Sequence, residues 1–312
     1  MTMNEDKRGK NIWAIGGGKG GVGKSFVAIN LGIALCERGK EVILVDADLG
    51  GANLHTLLGI TYPTITLDDF IRKKVRSIED VLMETEVPHL KLITGSLDIV
   101  TISNPKYTQK QRVIRHIRSL DADYVILDLG AGASYHVLDF FLISERGIFL
   151  ITPEPTSLEN AYRFLRGGVF RKLRKLSSQY EVKKVIELAM DRGNPQGIRT
   201  PFDLLTRVEE QDKEMGKLLK EEIMRFRPQL IVNQVRNRRE AELGFSVKSA
   251  CRKYFGIELS YLGYILFDNN VYFSTQRGHP LLLNHPASDA ARCIRDITSK
   301  LIDGGELGWS LR

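Results

Sequence analysis

Residues 15–25 read IGGGKGGVGKS, and Gly18 to Ser25 satisfy the spacing G-x-x-x-x-G-K-[ST]. This is the chemistry of phosphate binding. Glycines let backbone amides turn inward at close range to phosphate oxygens, at the positive end of a helix dipole. Gly18, Gly20, Gly21, Val22, Gly23 and Phe26 are the expected backbone cradle for a nucleotide, with Lys24 adding charge at the β- and γ-phosphates and Ser25 offering its hydroxyl to magnesium. Lys19 is a second lysine for which that scheme has no task.

Two acidic segments complete the set. EVILVDADLGGAN places Asp46 and Asp48 just past an apolar run, and YVILDLGAG ends an apolar run on Asp128. At the carboxyl end of a sheet these acids stand beside the phosphates. One of Asp46 and Asp48 is expected to hold magnesium's water shell and the other to orient an attacking water, and Asp128 fits the acid that helps position magnesium. Aspartates at strand ends often only cap turns, but their place beside a phosphate loop favours the catalytic reading. Gly130 and Gly132 give the loop after Asp128 freedom to respond to the γ-phosphate.

The elements that must position these residues follow from the apolar pattern. NIWAI, EVILVD, LKLITG, DYVILD, GIFLIT, QLIVNQV and SYLGYI read as short buried strands bounded by turn residues, with helical patterns between most of them. The fold class is therefore α/β, a mostly parallel twisted sheet with helices on both faces. A first helix is expected from about Lys24 to Arg38, closed by Gly39. The stretch 177–227 is longer than one crossover needs and strongly charged, so it reads as a helical insertion within a single domain spanning 1–312. Inside it Thr200, Pro201 and Asp203 mark a helix start, and DRGNPQGIR reads as a mobile loop.

Bulk composition agrees with a globular protein: 312 residues, 43% hydrophobic and 27% charged, can bury a large core. Cys36, Cys251 and Cys293 are too scattered for a disulfide framework, which points to the cytoplasm. No apolar run is long enough to span a bilayer, and MTMNEDKRGK carries no secretory signal. The net charge of +7 and pI near 9.2 favour acidic partners such as nucleotides, nucleic acid or an anionic membrane.

With these segments assembled the chain resembles the MinD/ParA family of P-loop ATPases, whose deviant loop KGGVGK[ST] carries a signature lysine at the position of Lys19. The resemblance implies ATP and Mg2+ as ligands, and a homodimer in the ATP state in which Lys19 reaches the partner's phosphates. Lys19, Lys24 and Asp48 then form the catalytic set, with Ser25, Asp46 and Asp128 at the metal. The family's first switch, D-x-D-x-G-x-x-N, is matched by Asp46, Asp48, Gly50 and Asn53. On the adenine side the resemblance points to Asn233 in QLIVNQV and to Asp268 in YILFDNN, although Leu266 and Phe267 stand where the family often has Pro-Glu. DLGAG followed by LITPEPTSLENAYRFL is similar to the FlhG/FleN branch, which governs flagellar number and placement. The implied function is a slow, partner-stimulated ATPase that regulates a cellular assembly.

Other readings stay open. RFLRGGVFRKLRK carries Arg163, Arg166, Arg171, Lys172, Arg174 and Lys175 with no acid among them, which would suit DNA phosphates, as in a ParA-type partition ATPase, or lipid headgroups at the inner face of the membrane. A solvated helix face is the blander account. The tail DGGELGWSLR reads as disordered rather than as a membrane helix, with Trp309 and Leu311 as its apolar residues. An iron-sulfur carrier would need closely spaced cysteines, which this chain lacks. A metabolic ligase on the same fold has no identifiable substrate mark.

Overall fold

The first predicted strand, IWAIG, is buried at every position, as a strand covered on both faces must be. It forms β1 (Ile12–Gly16), and α1 (Lys24–Cys36) and β2 (Val42–Asp46) follow it. In a computed structural model, residues 11–48, 51–95, 107–144, 146–176, 198 and 200–308 are described. α1 ends two residues short of Arg38, and Gly39 adopts the left-handed φ of 70° that releases the chain toward β2.

The remaining elements are α2 (Leu54–Leu57), α3 (Leu67–Ile71), β3 (Met83–Glu84), β4 (Leu90–Ile93), α4 (Tyr107–Ser119), β5 (Tyr124–Asp128), α5 (Tyr135–Phe141), β6 (Ile148–Ile151), α6 (Pro155–Leu176), α7 (Pro201–Gln211), α8 (Lys213–Arg225), β7 (Gln229–Val235), α9 (Arg238–Phe255), β8 (Ser260–Leu266), α10 (Asn269–Gln276), α11 (Leu281–Asn284) and α12 (Asp289–Asp303). All seven strand segments read from the sequence are present. The eighth strand, β3, is a two-residue antiparallel pairing of Met83 with Leu92 and Glu84 with Lys91, too short to leave a pattern.

The sheet order is β3-β4-β2-β5-β1-β6-β7-β8, with every pairing but β3·β4 parallel. The chain first moves outward from β1 on one side and then outward on the other, so the carboxyl end of β1 is the crevice where such sheets place ligands. Alternate residues of each strand face opposite cores. Ala14, Ile43, Val45, Leu127 and Phe149 pack with the α4–α9 side. Ile15, Leu44, Ile126 and Leu150 pack under α1 and α12.

The stretch read as an insertion contains α7 and α8. Thr200 caps α7 in a capping box with Asp203, as the sequence indicated. Leu204, Leu205, Val208, Leu219 and Ile223 are buried in the same core as the strands, and Ile198 is buried with them. Apart from Ile198, the segment DRGNPQGIR lies outside the described residues. Beyond α12, the Leu307 amide donates to the Tyr261 carbonyl of edge strand β8 at 2.7 Å, and Lys248 pairs with Glu306 at 2.7 Å. The described part of the tail is thus docked rather than loose; Trp309 and Leu311 lie outside it.

Candidate active site

The loop from Gly17 to Gly23 joins the end of β1 to the start of α1. Gly23 caps the helix with φ 93°, and the first turn holds no acid, so the positive end of the dipole faces the loop. Neighbouring chain enforces glycine at two positions. A Cβ on Gly18 would stand 2.1 Å from the Asn160 carbonyl oxygen, and one on Gly23 would stand 2.3 Å from Asn233 Nδ2. Val22 is buried, and its carbonyl accepts a 2.8 Å bond from Asn233 Nδ2. Phe26 lines a cleft with Ile29, Leu57 and Ser274.

Lys24 is nearly buried, and desolvation lowers its pKa while the charges of Asp128 and Asp48 oppose that shift. Asp46 and Asp128 are register partners on β2 and β5, side by side at the carboxyl edge. Asp46 is fully buried and accepts from the amides of Asp48 at 3.2 Å, Asn53 at 2.8 Å and Leu54 at 3.0 Å, which folds the segment after β2 back over the sheet. Burial, the largest effect, pushes its carboxyl up to about 6. Burial and then the Asp46 charge push Asp128 up to about 7, against a hydrogen bond from Ser25 and the charge of Lys24.

These values carry a chemical message. Buried carboxylates with raised pKa are charges in want of a cation. Asp128 Oδ1 is buried and has no hydrogen-bond partner, while its other contacts point to Ser25 and Lys24. This oxygen set fits a hard, oxygen-seeking ion such as Mg2+. Asp48 is half-buried and lies against the loop after β5: a Cβ on Gly130 would meet its Oδ1 at 3.0 Å. Lys24, Ser25, Asp46, Asp48 and Asp128 therefore converge at one place. Gly50 lies outside the described residues.

Lys19 points elsewhere. Its Nζ donates to Glu154 Oε2 at 2.5 Å and to Thr156 Oγ1 at 3.1 Å, both at the start of α6. Spacing along the chain does not reveal this contact, because Glu154 is 135 residues away. The PEPTS segment was legible only as a branch marker.

On the far side of the loop, Asn233 sits at a kink in β7. Gln234 has φ 60° and its amide donates to Asn233 Oδ1 at 2.9 Å, so the asparagine side chain is aimed at the loop. Asp268, expected by resemblance at the base, has a structural task in the fold. Its Oδ1 accepts from the Asn270 amide at 2.9 Å as the cap of α10, and its Oδ2 from the Ala290 amide at 3.3 Å in the first turn of α12. These hydrogen bonds hold its pKa low despite opposing desolvation, the largest single effect.

Three cations of the basic run on α6 meet acids, two of them on other helices. Arg171 binds Asp139 of α5 through Nε at 2.9 Å and Nη2 at 2.8 Å, and Lys110 of α4 binds the same fully buried carboxylate. Lys172 pairs with Glu222 of α8 at 3.0 Å, Arg163 with Glu159 at 2.5 Å, and Arg166 stacks on Phe170. The Lys175 side chain lies outside the described set.

The ParA family profile, described as NUBPL iron-transfer P-loop NTPase, matches residues 8–173, more than half of the chain. The chain belongs to the ParA/MinD family of P-loop NTPases. Among its relatives in this family, the antiactivator FleN of Pseudomonas aeruginosa is 32% identical over 199 residues, 63% of this chain and 67% of FleN. The flagellum site-determining protein YlxH of Helicobacter pylori is 30% identical over 165 residues, 52% of this chain and 55% of YlxH. Both similarities support the FlhG/FleN branch of the ParA/MinD family. The septum site-determining protein MinD of Pyrococcus horikoshii, solved with Mg-ADP, has the same fold: TM-score 0.61 at 21% identity, covering 94% of this chain and 96% of that one. No helix among the described residues is long and apolar enough to cross a membrane.

Proposed function

We propose that this chain is an ATP-driven molecular switch that closes as a homodimer, hydrolyses ATP and, through its two states, governs the placement or number of a cellular assembly, the flagellum first among them. The observation that carries the reading is the convergence of Asp46, Asp48 and Asp128 on Lys24 and Ser25. The names of FleN and YlxH supply the flagellar direction.

Each residue has a task in that reading. The amides of the Gly18–Phe26 loop and Lys24 hold the phosphates against the α1 dipole. Ser25, Asp46 and Asp128 hold magnesium, which when bound supplies positive charge to the β- and γ-phosphate oxygens. Asp48 accepts a hydrogen bond from the attacking water and aligns it with the γ-phosphorus. Lys19 leaves Glu154 and neutralises charge at the partner's nucleotide, so dimerisation and ATP binding are linked equilibria. Asn233 meets the base. A regulatory protein reads the closed dimer, in the cytoplasm or at the inner face of the membrane. The helices between 177 and 227 are the elaboration of this single domain.

The test is size-exclusion chromatography with light scattering in Mg-ADP and Mg-ATP, using Asp48→Ala to hold the ATP state. A dimer in ATP and a monomer in ADP is the expected result; a nucleotide-independent elution would falsify the switch. Polyanion binding through α6 is disfavoured by the acids that Arg163, Arg171 and Lys172 already contact.

A further inference from the structure

The loop after β5 borders the acid assigned to the attacking water, since a Cβ on Gly130 would meet Asp48 Oδ1 at 3.0 Å. Gly132 takes a left-handed φ of 89°, which gives the loop a point of rearrangement. Both ends of the loop are anchored. At one end the Leu129 amide donates to the Ile15 carbonyl of β1 at 3.1 Å. At the other, Ser134 caps α5, its hydroxyl accepting from the Val137 amide at 3.4 Å. The position of α5 thus sets the span that residues 130–133 must bridge beside Asp48.

α5 has seven residues, too few to be stable without tertiary contacts. Apolar packing supplies part of the hold: Leu138, Phe140 and Phe141 are buried, and α6 comes so close that a Cβ on Gly167 would stand 3.0 Å from Leu138 Cδ1. Charge supplies the rest. The fully buried Asp139 accepts from Arg171 of α6 through Nε at 2.9 Å and Nη2 at 2.8 Å, and Lys110 of α4 donates to the same carboxylate. The Arg171 guanidinium also lies 4.9 Å from the centroid of the Tyr135 ring, at the first residue of α5. Apolar contacts leave a helix some freedom to slide, whereas a bidentate guanidinium pair fixes angle as well as distance. Apolar residues of equal volume often match a buried ion pair in stability, so what this cluster adds is orientation.

We propose that Asp139 is a positioning residue for ATP hydrolysis: clamped by Lys110 and Arg171, it fixes α5 and so holds the 130–133 loop where it confines Asp48 beside the attacking water. The proposal rests on the hydrolytic reading above and adds the cluster that sets its geometry. Asp139 belongs to none of the segments that hold phosphate or magnesium in that reading, so its loss is felt in the chemical step and not in ATP binding.

The experiment is single-turnover hydrolysis of Mg-ATP by the full chain, beside ATP affinity from isothermal titration, with each variant also made in an Asp48→Ala background. Asp139→Asn is expected to slow hydrolysis about ten- to hundredfold, the scale of an ångström of misplacement, and to leave ATP affinity within about twofold. Lys110→Met and Arg171→Met, which each leave the carboxylate one cation, move the same way by less and serve if Asp139→Asn does not fold. In the Asp48→Ala background none of the three slows hydrolysis further, because residues acting through one geometry are not additive. Wild-type rates in the folded variants overturn the proposal. So does a loss of ATP affinity that accounts for the slowing, or an undiminished effect without Asp48, since either means general damage to the fold. Slow hydrolysis in Asp48→Ala beside wild-type rates in the cluster variants strikes this inference alone; wild-type hydrolysis in Asp48→Ala strikes the reading beneath it, and this inference with it.

Discussion

Lys19 is bound within its own chain, its ammonium 2.5 Å from Glu154 and 3.1 Å from Thr156. A lysine that serves a neighbouring subunit must first let go of this pair. The contact is partly exposed, and pairs of that kind are worth about 0.2–1 kcal/mol. In the switch proposed above, that restraint is weak enough for ATP binding to overcome.

The first prediction separates the two lysines. Lys19→Ala should reduce ATP-induced dimerisation and hydrolysis while leaving monomer affinity for ATP within about twofold, because the alanine removes nothing from the chain's own phosphate cradle. Lys24→Ala should impair all three. Glu154→Gln, which relaxes the hold on Lys19, should lower the ATP concentration at half-dimerisation by roughly two- to fivefold. Dimerisation measured by light scattering across an ATP titration checks each; an unchanged midpoint in Glu154→Gln means the pair does not restrain Lys19.

The second concerns Asp128 and pH. Its folded pKa of about 7 exceeds the ordinary 3.8, so the folded chain binds that proton more tightly than the unfolded one. Its stabilising contribution is complete below the ordinary value and is lost as pH rises through about 7. Without nucleotide and magnesium, Asp128→Asn should therefore be more stable than wild type at about pH 8, by roughly 1–3 kcal/mol, and little different near pH 4. Thermal melts at the two pH values read the difference, and the same variant should lose magnesium-dependent hydrolysis.

Asp48→Ala is predicted to bind ATP normally and to hydrolyse it about a hundredfold or more slowly, the usual loss when a positioned base is removed. Single-turnover kinetics beside a binding titration distinguishes this from a folding defect. Loss of ATP binding would move Asp48 into the phosphate cradle.

A fourth prediction tests the buried cluster under α6. Removing the carboxylate in Asp139→Ala strands Lys110, which is 3% exposed, and the guanidinium of Arg171. Breaking a buried pair from one side costs about 3–5 kcal/mol, which corresponds to a melting-point drop on the order of 10 °C for a chain of this size. A shift below about 2 °C would show that water reaches the cluster.

Much of this architecture was legible because it is local. Seven strands announce themselves as largely buried apolar runs, and Thr200, Pro201 and Asp203 spell a helix start within four residues. The phosphate loop is equally local. What stayed hidden joins distant segments. Glu154 meets Lys19, Asn233 meets Val22, Asp139 meets both Lys110 and Arg171, and Arg236 meets Phe267. The α6 run left polyanion binding open beside a solvated face because two of its counter-charges, Asp139 and Glu222, come from α5 and α8. Asp268 was placed at the base by resemblance alone, and only the fold shows that it also caps α10 and reaches the first turn of α12.

The two margins of the sheet close it to extension. At one margin the last pairing is a two-residue antiparallel strand, and at the other the tail lays the Leu307 amide on Tyr261. Recruiting another chain by strand addition would have to displace that tail or lengthen β3, and blunted margins of this kind are how sheets resist runaway aggregation. In the switch proposed above, the open rim of loops above β1 is the face on which two copies pair, and sheet margins blunted in this way make that pairing stop at two rather than seed a filament.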